Sequence, residues 1–185
     1  MKDSAKRKFL KSWMRTESSL ERAAPPTLIS FADMDYWYLA APLRWQQPGN
    51  QGTITVPKGF ATDFASIPRV FWSWLPPIGR YGVPAIVHDW HYWNQSTTRD
   101  QADDMLEANL VELGVPLWQR WSIMRGVRWG GGKYWNLNAI EKQSGGGRVL
   151  AQFPDDTAIT WAEWRQRPRV FADPVTVPVI TNSVT

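Results

Sequence analysis

The stretch Val87-His88-Asp89-Trp90-His91-Tyr92 contains both histidines of this 185-residue chain and places an acid beside one of them. A glycine and a proline precede it at positions typical of a helix start, so the sequence predicts a helix over residues 83–95. His88 and Tyr92 lie one helical turn apart on the same face, whereas Asp89 is rotated by about 100° from His88. The imidazole and the carboxylate therefore contact different partners, as a functional site requires.

A second helix is predicted to run to residue 113, with Thr97 or Thr98 as its cap and a glycine after its end. Asp103 falls on the inward edge of its apolar stripe, where an unpaired carboxylate would be costly. The short connection makes the two helices antiparallel neighbours. We therefore expect Asp103 to pair with the polar residues of the preceding helix, His88 and Tyr92.

Residues 27–68 are predicted to form a small antiparallel β-meander, because short β-prone runs alternate with turns. The predicted strands are Leu28–Phe31, Tyr36–Leu39, Leu43–Trp45 and Thr53–Val56. The segment that follows is too rich in proline and glycine to continue as a strand. It contains Asp63, which is interpreted either as a turn residue or as an acid that orients His88 or His91.

The predicted fold class is α+β, with the meander packed on a core of about three helices. The helical core spans residues 69–135 and includes a short aromatic helix at its start and a third helix from Val115 to about Trp129. The glycine run that follows, Gly130–Gly132, is interpreted as a linker. Residues 27–135 thus form the globular domain, and residues 136–185 are predicted to be an extended C-terminal arm.

Residues 1–26 are predicted to be a basic amphipathic helical arm, because six lysines and arginines lie within the first sixteen positions of a chain whose net charge is +4. Such an arm docks on a membrane, a nucleic acid or a partner protein, or packs on its own domain. The 13 tryptophans predict an aromatic core or interface. Cysteine is absent, which excludes disulfides and thiolate metal sites. The sequence shows neither a membrane-spanning apolar run nor a secretory signal pattern.

A longer pattern links these features. Val56-Pro-x-Gly-Phe-x-Thr-Asp-x-Ala-Ser-x-Pro is followed by Gly79-Arg-Tyr-Gly, by His88-Asp89-x-x-Tyr92 and by Ala102-Asp103. Over roughly residues 28–135, this pattern resembles a phage and prophage family catalogued as a domain of unknown function. The resemblance implies a viral origin, with the protein in the virion or in the host cytoplasm, and no particular activity.

The segment from His88 to Tyr92 also resembles the His-Asp-x-x-Tyr helix of phospholipases A2, and Ala102–Leu106 is similar to the Asp-bearing segment of their second helix. This resemblance implies that His88 is the general base that activates a water, that Asp103 orients it and that Tyr92 supports the pair by a hydrogen bond. It implies a calcium ion bound by Asp89 and by backbone carbonyls of the loop from Gly79 to Gly82.

Two functional hypotheses follow, and nucleic-acid binding through the N-terminal arm is a weaker third. The first is a phospholipase-A2-like hydrolase that acts on a lipid ester. The second is a structural virion protein of the tail or baseplate, in which His88, Asp103 and Asp63 form a buried polar network. Such a protein would hold other virion proteins through its N-terminal helix and C-terminal arm. An enzyme should place the His/Asp pair beside an open cleft, whereas a structural protein should seal it under side chains.

Overall fold

The structure is a computed structural model and describes residues 26–48, 52–64 and 82–173. The predicted N-terminal helix, the predicted aromatic helix after residue 68 and the last part of the predicted C-terminal arm lie outside these residues. In the described part, strands are followed by helices, which confirms the predicted α+β class. The elements are β1 (Leu28–Ser30), β2 (Trp37–Leu39), β3 (Leu43–Gln46), β4 (Thr53–Val56), β5 (Ala61–Thr62), α1 (Gly82–Asn94), α2 (Arg99–Glu112), α3 (Leu117–Gln143) and α4 (Trp161–Trp164).

The predicted antiparallel β-meander is confirmed, and its strands are divided between two sheets. β2 lies between β1 and β5, with Tyr38 opposite Ile29 on one side and Ala61 on the other. β3 and β4 form a separate hairpin in which Leu43 faces Val56. β4 ends at Val56, as predicted, but a separate strand of two residues, β5, follows and pairs with β2.

The principal core lies between these strands and α1. Val83, Ile86 and Val87 of α1 pack against Phe60 and Leu39 of the strand region, and each of these side chains is buried. The hairpin is also tied to α2, because the indole Nε1 of Trp45 donates a hydrogen bond of 2.8 Å to Asn109 Oδ1. α1 is thereby held between the sheets and the other helices.

α1 and α2 begin and end close to the predicted positions. Thr98 caps α2 through a capping box, in which its hydroxyl accepts from the Gln101 backbone while the Gln101 side chain accepts from the Thr98 backbone. Gly114 follows the end of α2 with φ +70°, a conformation that suits glycine. The predicted antiparallel pairing is consistent with the contacts between the two helices.

The prediction that the glycine run is a linker was wrong. α3 continues from Leu117 through Gly130–Gly132 to Gln143, so these glycines are not a linker. The physical reason is close packing: a Cβ atom on Gly131 would lie 2.3 Å from the hydroxyl of Tyr92 on α1. Glycine is used here because it allows α3 to approach α1, despite its cost to helix stability.

The chain after α3 packs on the globular domain, which therefore extends beyond the predicted boundary at residue 135. Leu150, Trp161 and Val170 are buried in a second core cluster, together with Phe31 and Tyr38 of the sheet region. Their apolar surface is removed from water, which is why the segment packs on the sheet instead of extending as an arm. No helix among the described residues is long and apolar enough to span a membrane.

Candidate active site

The sequence-predicted pair is brought together between α1 and α2. His88 Nε2 lies 2.9 Å from Asp103 Oδ1, and the hydroxyl of Tyr92 donates a hydrogen bond of 2.7 Å to the same oxygen. His88 is 3% exposed and Asp103 is 2% exposed. The expected contacts of Asp103 with His88 and Tyr92 are therefore confirmed.

The electrostatics of this cluster favour an ionised Asp103. Burial alone would raise the pKa of its carboxyl group, but the hydrogen bonds from His88 and Tyr92 bring the pKa below the usual 3.8. The pKa of Tyr92 is raised, first by burial and then by its hydrogen bond to Asp103. At neutral pH the cluster thus contains a carboxylate that accepts from a neutral phenol and from the imidazole.

A cavity of about 140 Å³ adjoins the pair. His88 and Tyr92 form part of its wall, whereas Asp103 lies behind them. Tyr134, which also lines the cavity, is 54% exposed, so the cavity reaches the protein surface on that side. The full lining is Asp63, His88, Asp89, Tyr92, Gly126, Val127, Gly130, Gly131, Tyr134, Asn138 and Arg148.

Asp89 lines the same cavity as His88. Its Oδ2 accepts a hydrogen bond from the hydroxyl of Thr62, and Thr62 Oγ1 also accepts from the backbone of Phe64. As predicted from helical geometry, Asp89 and His88 contact different partners. β5 therefore fixes Asp89 at the cavity, while His88 and Tyr92 of α1 hold Asp103 of α2 behind the cavity wall.

Arg148 provides a positive charge in this cavity. Burial alone would lower its pKa, but the negative groups around it, including Asp63 and Asp89, raise the pKa, so the guanidinium stays charged. The guanidinium lies 5.1 Å from the ring centroid of Tyr36, and Arg148 Nη2 lies 3.4 Å from Asn138 Oδ1. Its buried Nε has no hydrogen-bond partner within the described structure.

The predicted calcium ligands do not form a complete site among the described residues. Asp89 is engaged by Thr62, Gly82 is buried as the first residue of α1, and Gly79 lies outside the described residues. Within residues 26–48, 52–64 and 82–173, no group of three or more His, Asp or Glu side chains is placed to hold a metal ion. Calcium binding by Asp89, Gly79 and Gly82 stays a prediction.

The other two predicted residues have different surroundings. Asp63 follows β5 and lines the same cavity as His88, but the turn at this point is closed by Thr62, which accepts from the backbone of Phe64. His91 is buried with Nδ1 3.5 Å from the hydroxyl of Thr97, and it does not line the cavity. An orienting role for either residue stays a prediction.

Sequence reasoning missed the far wall of the cavity, which comes from α3 and from the segment after it. Asn138 and Arg148 lie 50 and 60 positions after His88, within the region interpreted as an extended arm. A signal was present in the glycines: Gly126 and Gly130 are four residues apart, so a helix would place both on one face. Small residues on one helical face indicate a close approach or a cavity.

The part of the chain that contains His88 and Asp103 is similar to a known family. No curated protein and no solved structure matches the chain. The model of a family described as "Protein of unknown function (DUF1353)" matches residues 37–127. That span contains His88, Asp89, Tyr92 and Asp103 but ends before Asn138 and Arg148. The resemblance to a family of unknown function is thereby confirmed. Residues 37–127, just under half of the chain, are therefore similar to the DUF1353 family.

Proposed function

We propose that this chain is a phage-encoded hydrolase that activates a water molecule with His88 and Asp103 and attacks a lipid ester. The observation that carries the proposal is the 2.9 Å contact between His88 Nε2 and Asp103 Oδ1, next to a cavity that His88 itself lines. An imidazole whose Nε2 faces a carboxylate can act as a general base near pH 7 through Nδ1.

The proposed reaction uses residues of this chain in defined roles. Nδ1 of His88 takes a proton from water, and the resulting hydroxide adds to the ester carbonyl carbon. Asp103, held by Tyr92, stabilises the imidazolium that forms. The guanidinium of Arg148 stabilises the negative oxygen of the tetrahedral intermediate. When the carbon–oxygen bond to the alcohol breaks, the imidazolium returns its proton to the leaving alkoxide, and the products are a carboxylic acid and an alcohol.

The test is fatty-acid release from mixed phospholipid vesicles, measured with calcium and with a chelator. The wild-type protein should release fatty acid, and His88→Asn should reduce the rate by about 10²–10⁴-fold. His91→Asn is the matched control, since this neighbouring histidine is outside the cavity lining and should leave the rate unchanged. Absence of release by folded wild-type protein in both solutions would overturn the proposal, and loss of release in the chelator alone would assign a role to calcium.

A second candidate function is supported by the burial of the same residues. His88 and Asp103 are almost completely inaccessible, as expected for a polar network that stabilises the interior of a structural virion protein of the tail or baseplate. In that case His88→Asn would lower the thermal unfolding midpoint of a protein that releases no fatty acid. The vesicle assay and an unfolding curve on the same two samples separate the two candidates.

A further inference from the structure

The outer face of α3 exposes large apolar side chains along its whole length. Leu117 is 72% exposed, Trp121 is 60% exposed and Trp129 is 93% exposed. The opposite face contributes Ile123 and Met124 to the core. An indole exposed to this extent contributes little to folding, so a row of such residues on one face indicates a binding surface.

These residues form one continuous ridge. Each member follows the previous one by four positions: Leu117, Trp121, Arg125, Trp129, Lys133 and Leu137. Residues four apart are neighbours on a helix surface. Arg125 shows this directly, because its guanidinium lies 5.2 Å from the ring centroid of Trp121. We call these six residues the α3 ridge.

The charge of this part of α3 has a single sign. Between Leu117 and Ile140 the helix contains four basic residues and no acidic residue. The basic residues are Arg120, Arg125, Arg128 and Lys133, of which Arg128 is paired with Asp104 and Glu107 of α2. Tryptophan and leucine next to lysine and arginine are the composition of helices that lie in the interface of an anionic membrane. A second copy of this chain is a poorer fit, since the same face on both copies would oppose like charges.

The ridge leads to the mouth of the cavity. A row of residues four apart advances by about 40° per step around the helix, so it winds gradually toward another face. At its C-terminal end, Leu137 is one turn from Tyr134, an exposed residue of the cavity lining. The C-terminal end of the ridge therefore lies next to the opening that leads to His88.

We propose that the α3 ridge docks the protein on an anionic lipid surface, from which lipid reaches the cavity past the C-terminal end of the ridge. Docking is a property of the ridge alone. The delivery of an ester to His88 rests on the proposed hydrolase function. Trp121 and Trp129, about 80° apart around the helix, enter the interfacial region, and Arg125 and Lys133 contact lipid phosphates.

Docking can be measured without hydrolysis by sedimentation of the full-length His88→Asn protein with vesicles. The protein should bind vesicles of mixed phosphatidylcholine and phosphatidylglycerol, bind pure phosphatidylcholine less, and lose affinity in high salt. Replacing Trp121 and Trp129 by serine should weaken binding by roughly tenfold or more, because interfacial affinity scales with the buried apolar area. Arg125→Gln and Lys133→Gln should each weaken it by about fivefold.

The control removes exposed apolar groups away from the ridge. Met34 is 60% exposed and Val111 is 50% exposed, so Met34→Ser/Val111→Ser should bind vesicles as the His88→Asn parent does. Equal binding by the ridge variant and its parent would overturn the proposal. So would a dimer, detected by sedimentation velocity, that the ridge variant loses, because it would assign the ridge to a second copy.

The two proposals can fail separately. A short-chain ester dissolved as a monomer needs the His88–Asp103 pair but no docking surface, so the ridge variant in an otherwise wild-type chain should hydrolyse it at the unchanged rate. Vesicle binding without hydrolysis of either substrate would retain the docking surface and reject the hydrolase. Hydrolysis of the monomeric ester without vesicle binding would retain the hydrolase and reject the docking surface.

Discussion

Among single residues, His91 gives the clearest prediction of how pH affects stability. Burial, followed by the nearby charge of His88, lowers the pKa of His91 from 6.5 to about 4. Between these two pH values the unfolded chain binds the proton more tightly than the folded protein does. The free energy of unfolding should therefore fall as the pH decreases from 6.5 toward 4, by about 3 kcal/mol in total.

The measurement is a set of urea unfolding curves between pH 7 and pH 4.5 for the wild-type protein and for His91→Asn. The variant lacks the group that titrates, so its stability should depend less on pH across this window. Asp103 does not interfere, since its pKa lies below 3.8. Identical pH dependence of the two proteins would show that His91 is not the titrating group.

Tyr92 gives a second prediction at this scale. Its hydroxyl donates to a carboxylate that is 2% exposed, and hydrogen bonds to charged groups contribute about 1.5–3 kcal/mol. Tyr92→Phe should lower the free energy of unfolding by that amount and raise the pKa of Asp103, which loses a donor. Chemical denaturation reports the first effect, and NMR titration of the Asp103 carboxyl reports the second. An unchanged Asp103 pKa would contradict the hydrogen bond.

At the scale of elements, the packing of α3 on α1 depends on the absence of a side chain at Gly131. A Cβ atom there would lie 2.3 Å from the Tyr92 hydroxyl, whereas a Cβ atom on Gly130 would have no heavy atom within 4 Å. Gly131→Ala should therefore destabilise the protein by about 1–3 kcal/mol through overpacking. Gly130→Ala is the matched control and should stabilise it by up to about 1 kcal/mol, through helix propensity.

A double variant tests whether the close contact is the cause. Tyr92→Phe removes the hydroxyl, after which the nearest atom to the added Cβ is the ring carbon Cζ at 3.3 Å. Gly131→Ala should therefore cost less in the Tyr92→Phe background than in the wild type, and thermal unfolding of the four proteins measures this coupling. Equal costs in the two backgrounds would mean that α3 is destabilised at Gly131 for another reason.

The same elements show how much could be predicted from the sequence. The ends of α1 and α2, and the contact between Asp103 and His88, follow from caps, periodicity and a short connection, all of which are local. The predicted third helix ended before Gly130, because glycine lowers helix propensity. What offsets this cost in the folded protein is the packing of Gly131 against Tyr92, which lies some 40 positions earlier in the sequence. Arg148 was missed for the same reason, since nothing in its local sequence indicates a cavity lined by α1 and α3.

At the scale of the whole molecule, the cavity is completed by a part of the chain that the family match does not include. The DUF1353 match ends at residue 127, whereas Gly131, Tyr134, Asn138 and Arg148 follow it. Asp173 fastens this part, because its carboxylate accepts from the backbone of Arg148 and Val149 and from the indole of Trp93 on α1. The matched span supplies the His/Asp pair, and the remainder closes the cavity around it.

The segment after α3 is therefore expected to contribute to global stability, which can be tested with two tryptophans. Trp161 is 5% exposed, stacks on Tyr36 with ring centroids 4.6 Å apart and contacts Phe31 edge-on at 5.2 Å. Trp161→Ala should lower the free energy of unfolding by about 3–5 kcal/mol. Trp129→Ala, at a 93% exposed position, should change it by about 0.5 kcal/mol or less.

Far-ultraviolet circular dichroism and the NMR signals of the α1 backbone amides, followed together in urea, distinguish a packed segment from an arm. If residues 144–173 fold with the rest, Trp161→Ala shifts both transitions to lower urea by the same amount, because the second core cluster and α1 unfold as one cooperative unit. A loss confined to part of the signal, with the α1 transition unchanged, would instead mean that the segment folds and unfolds independently. The cavity would then have a wall that opens without unfolding the His88–Asp103 pair, since Arg148 lies in that segment and the pair does not.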